Sequence, residues 1–414
     1  MNDKSFTSSM RGPGTIRLLS FLTLFVIGTD TFLVAPMLPL LRTITHVNIV
    51  QSGWLVSAYA LGYAISALVG GPLSDRADRR IILLVGLAGF VVFTAACAAT
   101  WDFWSLFIAR LLAGAAAAFV TPQIWAAIPV LVSPSQIIKT MGAATAGLSI
   151  AQVAGIPIGS LLSTLDWRWP FLAISGAAMI LLIVLAILFP RVRPAGAPHG
   201  HLFSPYRSVA SSRPLVLSLV AYFIFQTGNF TGLSFIATWL AEDFHATQIT
   251  ISITMMIIGC GNAIGSLFGA PLIQRLGPAR SLMTGLICLG GCYVACSVAP
   301  ALAVAVGILT CAMLVGGFVF PVLMNQLQAQ TDVARGTVSS LSNTAMYLGT
   351  TIAGAVGGIL IASFPGYTGI SGFITVTFAV ALVVYMTSGA LKTSRVDHKK
   401  REKPTHKIQS KYRH

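Results

Sequence analysis

Asp30 stands in GTDTFLVAPMLPLL (28–41), in the first long apolar run, and Arg110 in ARLLAGAAAAF (109–119), inside the fourth. A lone carboxylate at such depth is costly unless it is paired, hydrated or neutralised, and a guanidinium stays charged and needs a partner. Asp30 lies ~21 Å from the start of its run and Arg110 ~9 Å from the start of its own, at about 1.5 Å per residue. Because alternate runs cross in opposite directions, both fall in the same half of the bilayer, close enough to pair directly or through water. Burial and a neighbouring guanidinium act in opposite senses on a carboxyl's hold on its proton. A pair that opens and closes therefore supports proton exchange. No histidine falls in an apolar run, which leaves Asp30 as the membrane-embedded candidate proton carrier.

Other reactive clusters are thin. Cys288, Cys292 and Cys296 recur every four residues and share a helix face. Small side chains at a helix contact explain them better than a soft-metal site. All six cysteines lie in apolar runs, so no disulfide framework is implied. His199 and His201 have no further His or Cys nearby to complete a metal site. A membrane enzyme needs paired carboxylates, a histidine cluster or an activated nucleophile, and a channel needs a charged ring or an oligomeric pore. Neither pattern is present. The reading is no enzyme, no metal and no cofactor.

The elements that position these residues follow from composition. The chain has 414 residues, 55% hydrophobic and 9% charged, far from the roughly 25% charged of soluble domains. About 20 apolar residues span a bilayer as a helix. Twelve such spans are expected: 16–41, 51–73, 81–100, 104–131, 140–164, 169–190, 214–240, 249–273, 281–299, 301–328, 338–363 and 370–391. The first is too long for a cleaved signal and lacks a small-residue cleavage site. Of the 26 Lys and Arg residues, 23 fall on one side of this map and two, Arg42 and Arg168, on the other. By the positive-inside rule both termini are cytoplasmic. The net charge of +15 thus reflects membrane orientation and a basic tail near anionic lipid, with no nucleic-acid partner expected.

The chain divides into a six-helix half (1–190), a Pro-, Gly- and Ser-containing linker (191–213), a second six-helix half (214–391) and a basic tail (392–414). Shifted by 199 residues, LGYAISALVGGPLSDRADRR (61–80) overlays CGNAIGSLFGAPLIQRLGPA (260–279), and Gly155 and Gly159 meet Gly354 and Gly358. Two halves in parallel repeat point to a transporter that rocks about a central site. The fold class expected is an all-α membrane protein with two pseudo-symmetric halves. Asn229 replaces Asp30 in the second repeat; an amide keeps the shape and hydrogen bonds but cannot exchange a proton near neutral pH.

GGPLSDRADRR (70–80) resembles motif A of the major facilitator superfamily through Gly71, Asp75, Arg76, Arg79 and Arg80, with Asp78 where the family usually has Gly. Arg110 and Gly114 resemble motif B. AGLSIAQVAGIPIGS (146–160) resembles motif C, the antiporter motif, through Gly147, Gly155, Pro157 and Gly159, in a shortened form. DWRWPF (166–171) looks like the entry to span 6 frequent in bacterial exporters, and Trp167 and Trp169 also suit an interfacial belt. The stretch around Asp30 is similar to span 1 of the twelve-span drug:proton antiporter branch. The resemblance covers essentially the whole chain. It implies alternating access in the cell membrane, motif A closing the cytoplasmic side, and an acidic residue of span 1 coupling protons to substrate.

The central pocket is expected to draw on Thr31, Phe32, Gln123 and Gln152 from the first half. From the second it is expected to draw on Phe223, Gln226, Asn229, Asn262, Asn325, Asn343 and Tyr347. Each side chain suits helix–helix hydrogen bonding nearly as well. Aromatic, amide-lined walls with one carboxylate fit small lipophilic or cationic compounds. The expected function is proton-coupled efflux of such drugs by a monomer. The alternative is export of a sugar, nucleoside or amino acid on the same fold.

Overall fold

The computed structural model describes residues 12–74, 77–192, 207, 209–328 and 335–388. Among these residues every regular element is helical. Among the described residues, twelve helices are long and apolar enough to cross a membrane. They are α1 (Pro13–Thr45), α2 (Ile49–Gly70), α3 (Arg79–Ala98), α4 (Phe103–Leu131), α5 (Pro134–Leu162) and α6 (Trp169–Leu188). The second half supplies α7 (Arg213–Phe244), α8 (Gln248–Phe268), α9 (Ala279–Cys296), α10 (Leu302–Met324), α11 (Thr337–Ser363) and α12 (Thr368–Thr387).

Large apolar side chains such as Val85, Val92, Ile108, Ile180 and Ile187 point outward, as hydrocarbon in place of water permits. Trp101, Trp104 and Trp169 are exposed around the α3–α4 turn and the start of α6, where an interfacial belt belongs.

The repeat is visible in the backbone. The helices preceding His46 and His245, 199 residues apart, end with those histidines in the left-handed region, at φ 52° and 50°. Gly62 lies against the Leu111 backbone, and Gly261 meets Thr310 at the same shift. Gly86 meets Phe119, and Gly285 meets Phe318. In both halves the second helix packs on the fourth, the first on the fifth and the third on the sixth. The halves meet along α2–α11, along α5–α8, which is the same pairing under the pseudo-symmetry, and along α1–α7.

Several boundaries differ from the sequence expectation. α1 has 33 residues and puts Asp30 near its midpoint rather than toward its outer end, because helix continues beyond the purely apolar stretch on both sides. α4 is interrupted at 118–120, just before Pro122, which supplies no amide to continue the ladder. α5 starts at Pro134 rather than near 140, and carries a π-helical turn over Ala151–Gly155, directly ahead of Pro157. A π-turn is one way a helix absorbs a missing amide, and such turns gather at functional sites.

At position 78 the halves diverge. Gly277, the repeat partner, has φ 79°, whereas Asp78 is extended at φ −63° and caps α3 through its carboxylate and the Arg80 amide, at 3.0 Å. The same carboxylate accepts from the Val192 amide at 3.2 Å, and Val192 in turn accepts from the Arg79 amide at 3.1 Å. An acidic side chain here thus does what a glycine turn does in the other half, and also fastens the chain leaving α6. Asp102 closes a capping box with Ser105 at the start of α4. Hydrogen bonds from the Ser105 side chain and amide hold its carboxyl below the usual carboxylate range.

Candidate functional site

The two membrane charges meet directly. Arg110 Nη1 donates to both Asp30 carboxylate oxygens, at 3.0 and 2.9 Å, and Nη2 reaches the Asp30 carbonyl at 3.3 Å. Asp30 is 0% and Arg110 1% exposed, so solvent screening is absent and neither charge has water to fall back on. Helix α2 completes the site. The guanidinium lies over the Tyr59 ring, 4.4 Å from its centroid, and the Tyr59 hydroxyl is 3.1 Å from Thr31 Oγ1. Cys97 of α3 also faces Arg110. Tyr347 of α11 approaches Thr31 from the other half, and its ring stacks on Tyr63 at 3.6 Å between centroids.

Glycines set these distances. A methyl on Gly114, one turn beyond Arg110, would collide with the Tyr59 carbonyl, so α2 and α4 touch at backbone level where the guanidinium meets the ring. Gly147, Gly155 and Gly159 form a seam along α1, facing Phe21, Thr29 and Leu33 in a constant parallel register. The middle contact, on Thr29, is next to Asp30. Pro157 is buried behind it.

The sequence of the chain matches the family model for the Major Facilitator Superfamily over residues 20–331 and 218–413. It is 44% identical over 370 residues to the uncharacterized MFS-type transporter YceJ of Bacillus subtilis, covering 89% of this chain and 95% of that one. The chain belongs to the major facilitator superfamily. A probable sugar efflux transporter of Helicobacter pylori is 27% identical over 255 residues, 60% of this chain and 63% of its own. Solved structures share the fold. A bacterial homolog to the human lysosomal transporter Spinster, inward-facing and unoccupied, superposes with TM-score 0.68 at 16% identity, covering 95% of this chain and 99% of that one. A D-xylose-proton symporter superposes with TM-score 0.71 at 15% identity, covering 88% and 96%. The protein is therefore a multi-pass membrane transporter.

Around the facilitator ion pair, the expected pocket residues separate into groups. Thr31 and Tyr347 join the Asp30–Arg110 cluster. Phe32 stacks on Phe230 of α7, at 6.3 Å between centroids. Gln152, in the π-turn, accepts from Asn262 of α8 at 2.9 Å, a second polar contact between the halves. Gln226 donates to Tyr222 at 3.2 Å within its own helix, which makes it packing of the second half rather than part of the ion-pair cluster. Gln123 is buried in the second segment of α4, and Phe223, Asn229 and Asn343 are half-buried. Asn325 lies on the helix that continues α10, and its side chain is outside what is described.

In motif A, Asp75 and Arg76 lie outside the described residues, as do His199 and His201. Gly71 is at the end of the helix that continues α2, and Arg80 hydrogen-bonds the Ala186 carbonyl of α6. Cys288, Cys292 and Cys296 lie on α9. Among the described residues no cluster of three or more His, Cys, Asp or Glu is placed to hold a metal.

Sequence reasoning missed Tyr59, Tyr63, Cys97 and the serine contacts between the halves. Ser252 donates to Ser160 at 2.8 Å, and Gln248 reaches Ser160 at 2.6 Å and the Pro36 carbonyl at 3.2 Å. Ser57 donates to the Thr351 carbonyl at 2.6 Å, and Arg42 pairs with Glu242 at 2.5 Å. The tyrosines carried one signal: Tyr59 and Tyr63 are one turn apart on the helix face that also presents Gly62.

Proposed function

We propose that the protein is a proton-coupled secondary transporter of the cell membrane, with both termini cytoplasmic, that exports small lipophilic or cationic compounds by alternating access. The observation that carries this reading is the sealed Asp30–Arg110 pair beside the contact between the halves. Asp30 takes a proton from the outside, which frees Arg110, and returns it inside; substrate leaves between those states. Most cross-half hydrogen bonds among the described residues gather near the ends of α1 and α7 and the starts of α2 and α8. On the positive-inside reading that end faces the outside. The arrangement accords with a state closed at that end.

A second reading, export of a sugar, has its own support in the relative named a sugar efflux transporter and in the Gln152–Asn262 amide pair. Amides hydrogen-bond hydroxyls, whereas a lipophilic cation needs aromatic faces and the carboxylate. Efflux of tetraphenylphosphonium and of radiolabelled pentoses and hexoses from energised cells decides between them. The first reading expects expulsion of the cation, stopped by an uncoupler, and little sugar movement. Sugar efflux without cation efflux overturns it in favour of the second.

A further inference from the structure

Tyr59 has no part in the mechanism so far, yet it touches both members of the pair's surroundings. It is 2% exposed, with its ring against Arg110 and its hydroxyl on Thr31, the residue after Asp30. Thr31 spends its single proton on the Ile27 carbonyl, at 2.8 Å. Its oxygen can then only accept, so Tyr59 is the donor in their 3.1 Å contact. Tyr347 approaches the same Thr31 from the other half. The threonine oxygen therefore ties α1 and α2 together beside the carboxylate, with Tyr347 of α11 next to them. The titratable or charged groups facing the pair are Tyr59 of α2, Cys97 of α3 and, against Tyr59, Tyr347 of α11.

Resting on the reading of Asp30 as proton carrier, we infer that Tyr59 is a positioning residue with two separable parts. Its ring holds the guanidinium on Asp30, since a desolvated cation over an aromatic face resists withdrawal. Its hydroxyl links the state of the pair, through Thr31, to Tyr347 in the opposite half. The ring governs how tightly Asp30 holds its proton; the hydroxyl governs whether the other half responds.

The test needs no substrate. Proton uptake by the purified full-length protein is followed as pH is stepped from 5 to 9, and the curve of the same protein carrying Asp30→Asn is subtracted. Tyr59→Leu, with Tyr59→Met as a second ring-less variant should the first fail to fold, is expected to move the difference midpoint upward by about one pH unit. Tyr59→Phe is expected to leave the midpoint in place. In a Ser160→Cys/Ser252→Cys background, the rate of oxidative cross-linking between the halves is expected to vary with pH, and Tyr59→Phe to flatten that dependence. An unmoved midpoint in the ring-less variants, or an unchanged cross-linking profile in Tyr59→Phe, overturns the inference about Tyr59. No difference between wild type and Asp30→Asn overturns the proton-carrier reading instead.

Discussion

Asp30 and Arg110 show how strongly burial amplifies a single pair. Removing one partner strands the other charge away from water, whereas removing both restores an apolar contact. Asp30→Leu is therefore expected to lower stability by about 3–5 kcal/mol, and Asp30→Leu/Arg110→Leu to recover most of that loss. Thermal unfolding in detergent checks both; equal melting temperatures for the single and double variants would contradict the argument. These two residues were legible because a charge in an apolar run is rare enough to demand a reason. Tyr59 was not, because nine tyrosines and 23 phenylalanines fill a chain like this, and an aromatic in a span needs no partner to be tolerated.

Among the helices, close approach is set by glycines whose tolerance depends on what they face. A methyl on Gly114 meets the Tyr59 backbone, which cannot move without shifting α2. On Gly159 it meets the Leu33 Cδ1 atom, the free end of a flexible side chain. Gly114→Ala is therefore expected to cost about 1–3 kcal/mol and to disturb the Arg110–Tyr59 contact, with Gly159→Ala near neutral. Melting temperatures of the two variants decide it, and the reverse order would sink the idea. The spacing of these glycines was readable, but which atoms they face was not, since that depends on the register between helices distant in sequence. The π-turn of α5 and the break in α4 escaped for a related reason. A proline signals that a helix must adapt, and its neighbours choose how. Asp78 is a third case: its departure from the family's glycine is explained by a cap and a tie to Val192 that only the folded loop reveals.

At the scale of the whole molecule, the sequence repeat and the twelve apolar runs foretold the two-half architecture, because hydrocarbon forces every span to satisfy its backbone as helix. The contacts between the halves were less legible, since serines in apolar spans carry no periodic signal of their own. Ser160 and Ser252 place their oxygens 2.8 Å apart across the α5–α8 seam. Cysteines at both positions are expected to form a disulfide on oxidation. If the halves must separate there, cross-linking stops transport and reductant restores it; full activity of the oxidised protein would contradict that motion. Whether Asp30 carries the coupling proton is decided in reconstituted vesicles. Uphill accumulation of a substrate driven by an imposed pH gradient is compared with substrate exchange at equilibrium, in wild type and in Asp30→Asn. Asp30→Asn is expected to lose gradient-driven accumulation and to keep exchange. Accumulation at the wild-type level in Asp30→Asn would contradict it, leaving the buried pair a fixed structural contact.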